Sequence, residues 1–211
     1  MPNLWLEFSQ VALAHLLAVA SPGPDFAIVL RQSLTHGRRT AIWTSVGVGT
    51  GILLHVGYSL LGLGLLIRGS ALWFAVVKYA GAAYIAWIGV QSLRAKPRDN
   101  LDLGATGAST LPSSHGAFAT GFLTNALNPK VSLFFISLFV MVVSPQTPKL
   151  VQAGYGLWMA LATMAWFSIV AVVFTREDVR RRFLRYGHWI DRALGVVFLA
   201  FAVGLAVATL R

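Results

Sequence analysis

Two helix-breaking segments lie inside long apolar stretches, and they restrict the fold more than any other feature of the sequence. The first is Ser21-Pro22-Gly23-Pro24-Asp25 and the second is Asn125-Ala126-Leu127-Asn128-Pro129-Lys130. Each contains proline, which interrupts a helix, and one ionisable side chain. Within a bilayer, non-helical backbone is tolerated only where protein or a water-filled cavity surrounds it. Breaks at corresponding places in two halves of a chain are typical of the binding site of a secondary transporter.

The composition is that of a membrane protein. Of the 211 residues, 56% are hydrophobic and 11% are charged, and the mean hydropathy is +0.69, whereas soluble domains carry roughly a quarter charged residues. A helix needs about 20 apolar residues to cross a bilayer. The sequence therefore predicts an all-α polytopic membrane protein, with one transmembrane domain over 1–211 and six spans at 8–30, 41–67, 71–93, 117–143, 149–174 and 190–210.

Weak internal symmetry divides the chain into two halves of three spans each. An offset of 107 residues superposes Ser21-Pro22 on Asn128-Pro129. Because three is odd, the halves would run through the membrane in opposite directions, as inverted repeats do. We expect halves at about 1–93 and 117–211, joined by a cytoplasmic linker at 94–116. Chance is the alternative, since glycine and proline are common in membrane helices. The same offset aligns glycines of spans two and five: Gly47 and Gly49 with Gly154 and Gly156.

The basic residues predict the orientation. The formal net charge is +10, and most of the 17 Lys and Arg residues lie in the loops after spans one, three and five. The positive-inside rule places those loops in the cytoplasm and both termini outside. This distribution does not suggest a nucleic-acid partner. The segment 176–192 mixes basic and aromatic residues, which predicts an amphipathic segment on anionic lipid of the cytoplasmic leaflet.

Each break predicts the start of a new half-helix near the middle of the membrane. Serine and asparagine are favoured N-caps, and proline is favoured at the first helical position. The free amides and the positive dipole end of such a helix suit a carboxylate. Asp25 and Lys130 lie within one turn of their breaks, and charges at this depth must pair or face a cavity. We expect Asp25 to be the sole carboxylate at bilayer depth. The two residues could bind a ligand or form a structural pair.

The motifs resemble those of the LysE/RhtB family of amino-acid exporters. Ser21-Pro22-Gly23-Pro24-Asp25 follows one apolar half-span, and Asn128-Pro129-Lys130 occurs in the fourth span. Segments 78–84 and 121–125 also match, and the resemblance covers essentially the whole chain. It implies efflux of amino acids or close derivatives across a bacterial inner membrane, driven by the proton gradient.

The predicted functional residues come mainly from the two breaks. We expect the substrate carboxylate at the second break and its ammonium group at the first. Proton movement is assigned to Asp25 and to His55, because histidine exchanges protons near neutral pH. A His55 that is only hydrogen-bonded within the bundle is equally consistent, and His15 is expected to be structural or interfacial. The predicted substrate-binding residues are Ser21, Pro22, Gly23, Pro24, Asp25, Asn125, Asn128, Pro129 and Lys130.

Two other functions are alternatives to amino-acid export. A metal-ion exporter would need clustered His, Cys or carboxylates, and the chain has no cysteine. An intramembrane enzyme would need a motif such as H-E-x-x-H or G-x-S-x-G, and the sequence contains neither. We therefore expect a non-enzyme without metal or cofactor. The glycine motif at 47–51 permits close helix approach, either within one protomer or in a homodimer.

Overall fold

The computed structural model describes residues 3–69, 71–96 and 112–207. The predicted all-α class is confirmed, since these ranges form eight helices. Most of the predicted linker at 94–116 lies outside the described residues. The helices are α1 (Leu4–Ala20), α2 (Pro24–His36), α3 (Arg38–Gly69), α4 (Ala71–Leu93), α5 (Ser114–Ala126), α6 (Pro129–Met141), α7 (Lys149–Val173) and α8 (Glu177–Val207).

The described part of the chain contains three to five candidate membrane spans. Three stretches, Arg38–Leu61, Lys149–Val173 and Arg185–Gly204, are each long and apolar enough to cross a membrane. The pairs α1 with α2 and α5 with α6 each qualify only when taken together. The chain is thus a polytopic helical membrane protein. The predicted third span corresponds to α4, which is not among these candidates, so six remains a prediction.

The predicted breaks in spans one and four are confirmed. The axes of α1 and α2 differ by 54°, and those of α5 and α6 differ by 57°. Ser21 is extended at φ −69° and ψ 123°, and Asn128 is extended at φ −78° and ψ 109°. Each precedes a proline, whose ring disfavours helical backbone in the residue before it. The bends therefore follow from the Ser21-Pro22 and Asn128-Pro129 steps.

Hydrogen bonds of two arginines tie the arginine-rich connections to their neighbours. Arg38 Nε donates to Thr175 Oγ1 over 3.2 Å, which ties the α2–α3 connection to the α7–α8 connection. Arg192 Nε donates to the carbonyl oxygen of Ala95 over 3.1 Å, which joins the start of the α4–α5 connection to α8. The α2–α3 and α7–α8 connections thus share one end, as the charge pattern predicts, whereas Arg192 lies within the candidate span Arg185–Gly204. That this end faces the cytoplasm stays a prediction.

A buried carboxylate organises the opposite end. Glu7 in α1 accepts hydrogen bonds from the backbone amide of Ser144 and from Thr147 Oγ1, each over 2.9 Å. These contacts fasten α1 to the α6–α7 connection. Asp191 is also buried, and it lies within the candidate span Arg185–Gly204. The expectation that Asp25 is the sole carboxylate at bilayer depth is therefore wrong.

Helix α3 packs closely against α5 and α7. A Cβ added at Gly47 would overlap the Phe118 carbonyl of α5, and one added at Gly121 would overlap the Thr44 carbonyl of α3. The backbones of α3 and α5 are therefore in direct contact. Gly49 faces α7 in the same way. This glycine motif serves packing within the chain, and a homodimer stays a prediction.

The contacts of the aligned glycines agree only in part with the predicted repeat. Helices α3 and α7 contact each other, as do α4 and α8. Gly49 and Gly156, which the offset aligns, both lie in the α3–α7 interface. Gly154, which aligns with Gly47, has open space around it instead. The inverted repeat therefore stays a prediction.

The basic segment 176–192 is not a separate surface helix. Helix α8 runs without interruption from Glu177 through the last candidate span. Phe183 in this segment stacks on Phe26 of α2, with ring centroids 5.1 Å apart. Arg181 is exposed and pairs with Glu177 and Asp178 on its own helix. Contact of this segment with anionic lipid stays a prediction.

Candidate functional site

The two breaks meet at one cavity. The volume of this cavity is about 50 Å³. One water molecule needs about 10–15 Å³ of such space. The space therefore suits a small solute. Three of the predicted site residues are not in the described lining of the cavity: Pro22, Pro24 and Pro129. These prolines contribute by interrupting the helices. The predicted site residues that do line the cavity are Ser21, Gly23, Asp25, Asn125, Asn128 and Lys130.

Lys130 reaches from the second break to the first. Its Nζ donates to Ser21 Oγ over 2.9 Å and to the Ser21 carbonyl oxygen over 3.3 Å. The same ammonium lies 5.3 Å from the centre of the Phe198 ring. A Cβ added at Gly23 would lie 3.5 Å from Nζ. Lys130 thus binds a carbonyl that the first break releases from the helix, and it lies beside the start of α2.

A second hydrogen bond joins the same two breaks. Asn125 Nδ2 donates to Asp25 Oδ2 over 2.8 Å, and Asn128 interacts with the same carboxylate. All three side chains are buried. Asp25 and Lys130 also attract each other, although their hydrogen bonds go to different residues. The structural pair and the cavity-lining role, which the sequence left as alternatives, are therefore compatible.

Three buried acceptor or donor atoms on lining residues have no hydrogen-bond partner among the described residues. They are Asp25 Oδ1, Asn125 Oδ1 and His15 Nδ1. Buried polar atoms in proteins are nearly always paired, because an unpaired one loses its hydration without compensation. A polar occupant of the cavity would supply the missing bonds.

The two half-helices differ at their starts. Asn128 Oδ1 accepts from the Lys130 amide over 3.0 Å, so the start of α6 is capped by a side chain. Gly23 precedes α2 and provides no side-chain cap. The first turn of α2 therefore has no side-chain cap, and Gly23 itself lines the cavity.

His55 lies behind Asn125 rather than on the described cavity wall. Its Nε2 lies 3.0 Å from the Asn125 carbonyl oxygen, and its Nδ1 lies 2.7 Å from Tyr58 Oη. Because a carbonyl oxygen only accepts, Nε2 carries a proton in this contact. Both ring nitrogens therefore have a hydrogen-bond partner, and Nε2 donates to the Asn125 carbonyl oxygen at the second break.

His15 is a lining residue that the sequence analysis did not assign to the site. It is 2% exposed, and its Nε2 lies 3.1 Å from the Met159 carbonyl oxygen and 2.9 Å from Thr163 Oγ1. Thr163 lines the cavity as well. The one available signal was a histidine inside a predicted span, where ionisable residues are functional candidates by default.

Comparison with known proteins identifies the family. Residues 16–209 match the LysE type translocator family. The chain is 32% identical to the threonine efflux protein of Salmonella typhimurium over 97% of this chain and 100% of the relative. It is 34% identical to the homoserine/homoserine lactone efflux protein of the same organism over 69% of this chain and 68% of the relative. No solved structure matches the chain. On the family match and the full-length similarity, the chain belongs to the LysE type translocators.

Proposed function

We propose that the chain is a secondary active exporter that moves amino acids or close derivatives out across the bacterial inner membrane. The observation that supports this most is the cavity between the breaks, because its lining contains an acid, Asp25, and a base, Lys130. A free amino acid carries one cation and one anion on a single α-carbon, so it matches this pair. The relatives named for threonine and homoserine efflux agree with this class of substrate.

The ammonium group is assigned to Asp25 and Asn125. Asp25 Oδ1 and Asn125 Oδ1 are both buried acceptors that lack a partner in the described protein. An ammonium group has three donors and no acceptor, so it suits such a pair. The hydrogen bond between Asn125 Nδ2 and Asp25 Oδ2 holds the two side chains together.

The carboxylate is assigned to Lys130 and the start of α2. Lys130 lies beside Gly23, where the first-turn amides lack a side-chain cap. A charge-assisted hydrogen bond and a helix N-terminus both favour an anion there. This assignment keeps Lys130 as the expected partner but takes the amides from α2 instead of α6, because Asn128 already caps α6. The ammonium and carboxylate sites then lie side by side, as their common α-carbon requires.

Proton coupling is assigned to Asp25. It is the carboxylate in the described cavity lining, and it would hold either the substrate ammonium or a proton. Protonation from the outer side would remove the negative charge that attracts the ammonium group and so release the substrate. The predicted part of His55 in proton movement would act through the Asn125 carbonyl, which its ring holds.

Flux measurements with the purified full-length chain in proteoliposomes test the proposal. Radiolabelled amino acids are offered in counterflow and under an imposed pH gradient, and divalent metal ions are offered in a parallel series. We expect flux of at least one amino acid, acceleration by the pH gradient, and loss of flux in Lys130→Met. Lys149→Met is the matched control, because Lys149 is exposed and is not in the described cavity lining. Metal-ion flux without amino-acid flux would overturn the proposal.

A further inference from the structure

The ring of His15 forms part of the cavity wall, on the α1 side of the first break. It is packed among aromatic side chains, with ring centroids 6.0 Å from Phe135, 6.2 Å from Trp158 and 6.4 Å from Phe134. The ring is therefore fixed in an apolar part of the cavity. Its Nδ1 is buried and has no partner among the described residues.

The contacts of Nε2 define what Nδ1 can do. Nε2 lies 3.1 Å from the Met159 carbonyl oxygen, which can only accept a hydrogen bond. The proton of the neutral ring is therefore on Nε2, and Nδ1 is an acceptor. Thr163 Oγ1 lies 2.9 Å from the same Nε2 and holds the ring in this orientation. The wall thus presents a fixed hydrogen-bond acceptor.

The cavity brings this acceptor to the proposed amino-acid site. His15 lines the same space as Asp25, Lys130 and Ser21, the partner of Lys130. The side chain of an amino acid held there can therefore meet the His15 ring, and the small cavity volume of about 50 Å³ favours a short one.

We propose that His15 Nδ1 accepts a hydrogen bond from the side-chain hydroxyl of the exported amino acid, so that the cavity selects short hydroxylated side chains. This inference rests on the proposed function, because it assumes that the substrate amino and carboxyl groups lie at Asp25 and Lys130. A purely apolar side chain would cover Nδ1 without bonding to it. Such a substrate loses affinity, because the buried acceptor then stays unpaired.

Isosteric substrate pairs test the inference in the wild-type chain. L-threonine and L-valine differ by a hydroxyl in place of a methyl group, as do L-serine and L-2-aminobutyrate. Their inhibition constants are measured against exchange of a labelled amino acid in proteoliposomes. We expect the hydroxylated member of each pair to bind about tenfold or more tightly. Equal inhibition within both pairs would overturn the inference, while the exchange itself would leave amino-acid export standing.

Variants show whether His15 is the residue that recognises the hydroxyl. His15→Phe keeps an aromatic ring of similar size and should reduce the preference to about threefold or less, with inhibition by L-valine retained. His115→Phe is the matched control, because His115 is exposed at the start of α5. A tenfold preference that persists in an inserted His15→Phe protein would overturn the assignment. If this variant does not insert, Thr163→Val takes its place, since it removes one of the two groups that hold the ring.

Failure of the proposed function has a different signature. In that case none of the four amino acids inhibits or exchanges, whether or not His15 is intact. Failure of the inference leaves all four active and shows no preference that depends on His15.

Discussion

Lys130 Nζ lies 2.9 Å from Ser21 Oγ, although the two residues belong to different broken helices. Asn125 of the second break likewise donates a hydrogen bond to Asp25 of the first. The second break thus supplies the donor and the first break the acceptor in both hydrogen bonds, and the two unwound segments form one polar unit. A change in either Asp25 or Lys130 is therefore expected to alter both segments.

Substitution of Lys130 tests the carboxylate assignment. Lys130→Met should weaken binding of free amino acids by roughly ten- to a hundredfold, since a hydrogen bond to a charged group is worth about 1.5–3 kcal/mol. Amidated analogues, which lack the carboxylate, should lose much less affinity. Competition assays with both ligand types measure the difference. Equal losses for acid and amide, with lower thermal stability, would show that Lys130 is instead a structural partner of Asp25.

Substitution of Asp25 tests the coupling assignment. Asp25→Asn keeps the size of the side chain but removes its ability to carry or release a proton. We expect flux driven by a pH gradient to be abolished, while exchange of substrate for substrate, which needs no net proton movement, partly survives. Asp178→Asn, at an exposed position in α8, is the control. Normal gradient-driven flux in an inserted Asp25→Asn protein would remove Asp25 from the mechanism.

The packing beneath Asn125 provides a third test. A Cβ added at Gly51 would lie 2.6 Å from Asn125 Oδ1, whereas one added at Gly57 on the same helix meets nothing within 4 Å. Gly51→Ala should displace the Asn125 side chain, lower substrate affinity and cost about 1–3 kcal/mol of stability. Gly57→Ala should leave both unchanged. Affinity measurements and thermal unfolding in detergent check this, and equal behaviour of the two variants would contradict it.

The buried Glu7 provides a test remote from the cavity. Glu7→Ala leaves the Ser144 amide and Thr147 Oγ1 without their acceptor. An unpaired buried group costs about 1–3 kcal/mol, so the melting temperature in detergent should fall. Glu177→Ala at an exposed position is the control. An unchanged melting temperature would mean that water or another group replaces the carboxylate.

The membrane orientation is tested with reporter fusions. The excess of Lys and Arg in three loops predicts that both termini lie outside. Fusions after Arg98 and Arg185 should report the cytoplasm, and a fusion after Arg211 should report the opposite side. A cytoplasmic carboxyl terminus would contradict both the six-span count and the inverted repeat.

The breaks could be predicted from the sequence, because proline acts locally. Its ring restricts the preceding residue and cannot continue the helical hydrogen bonds, so Ser21-Pro22 and Asn128-Pro129 interrupt any helix that contains them. The continuity of α8 was harder to predict. The change from charged to apolar residues after 176–192 suggested a boundary, but no proline there stops the helix.

The contacts across the cavity could not be predicted, because they depend on how each helix is rotated about its axis. Asn125 and Asp25 are separated by a hundred positions, and no local pattern links them. His15 was missed for the same reason, since a single histidine in an apolar helix has no periodicity that shows which way it faces. Asp191 was missed because it lies where the predicted span 190–210 overlaps the basic segment 176–192, whose charges suggested a surface position.

The direct contact of the α3 and α5 backbones limits how this protein can change shape. At Gly47 and Gly121 there is no layer of side chains whose rotamers could rearrange to let one helix slide past the other. Close-packed interfaces transmit displacement rather than absorb it. We therefore expect helices α3 and α5 to move together, so that a passage opening alternately to the two sides of the membrane would form where other helices shift against this pair.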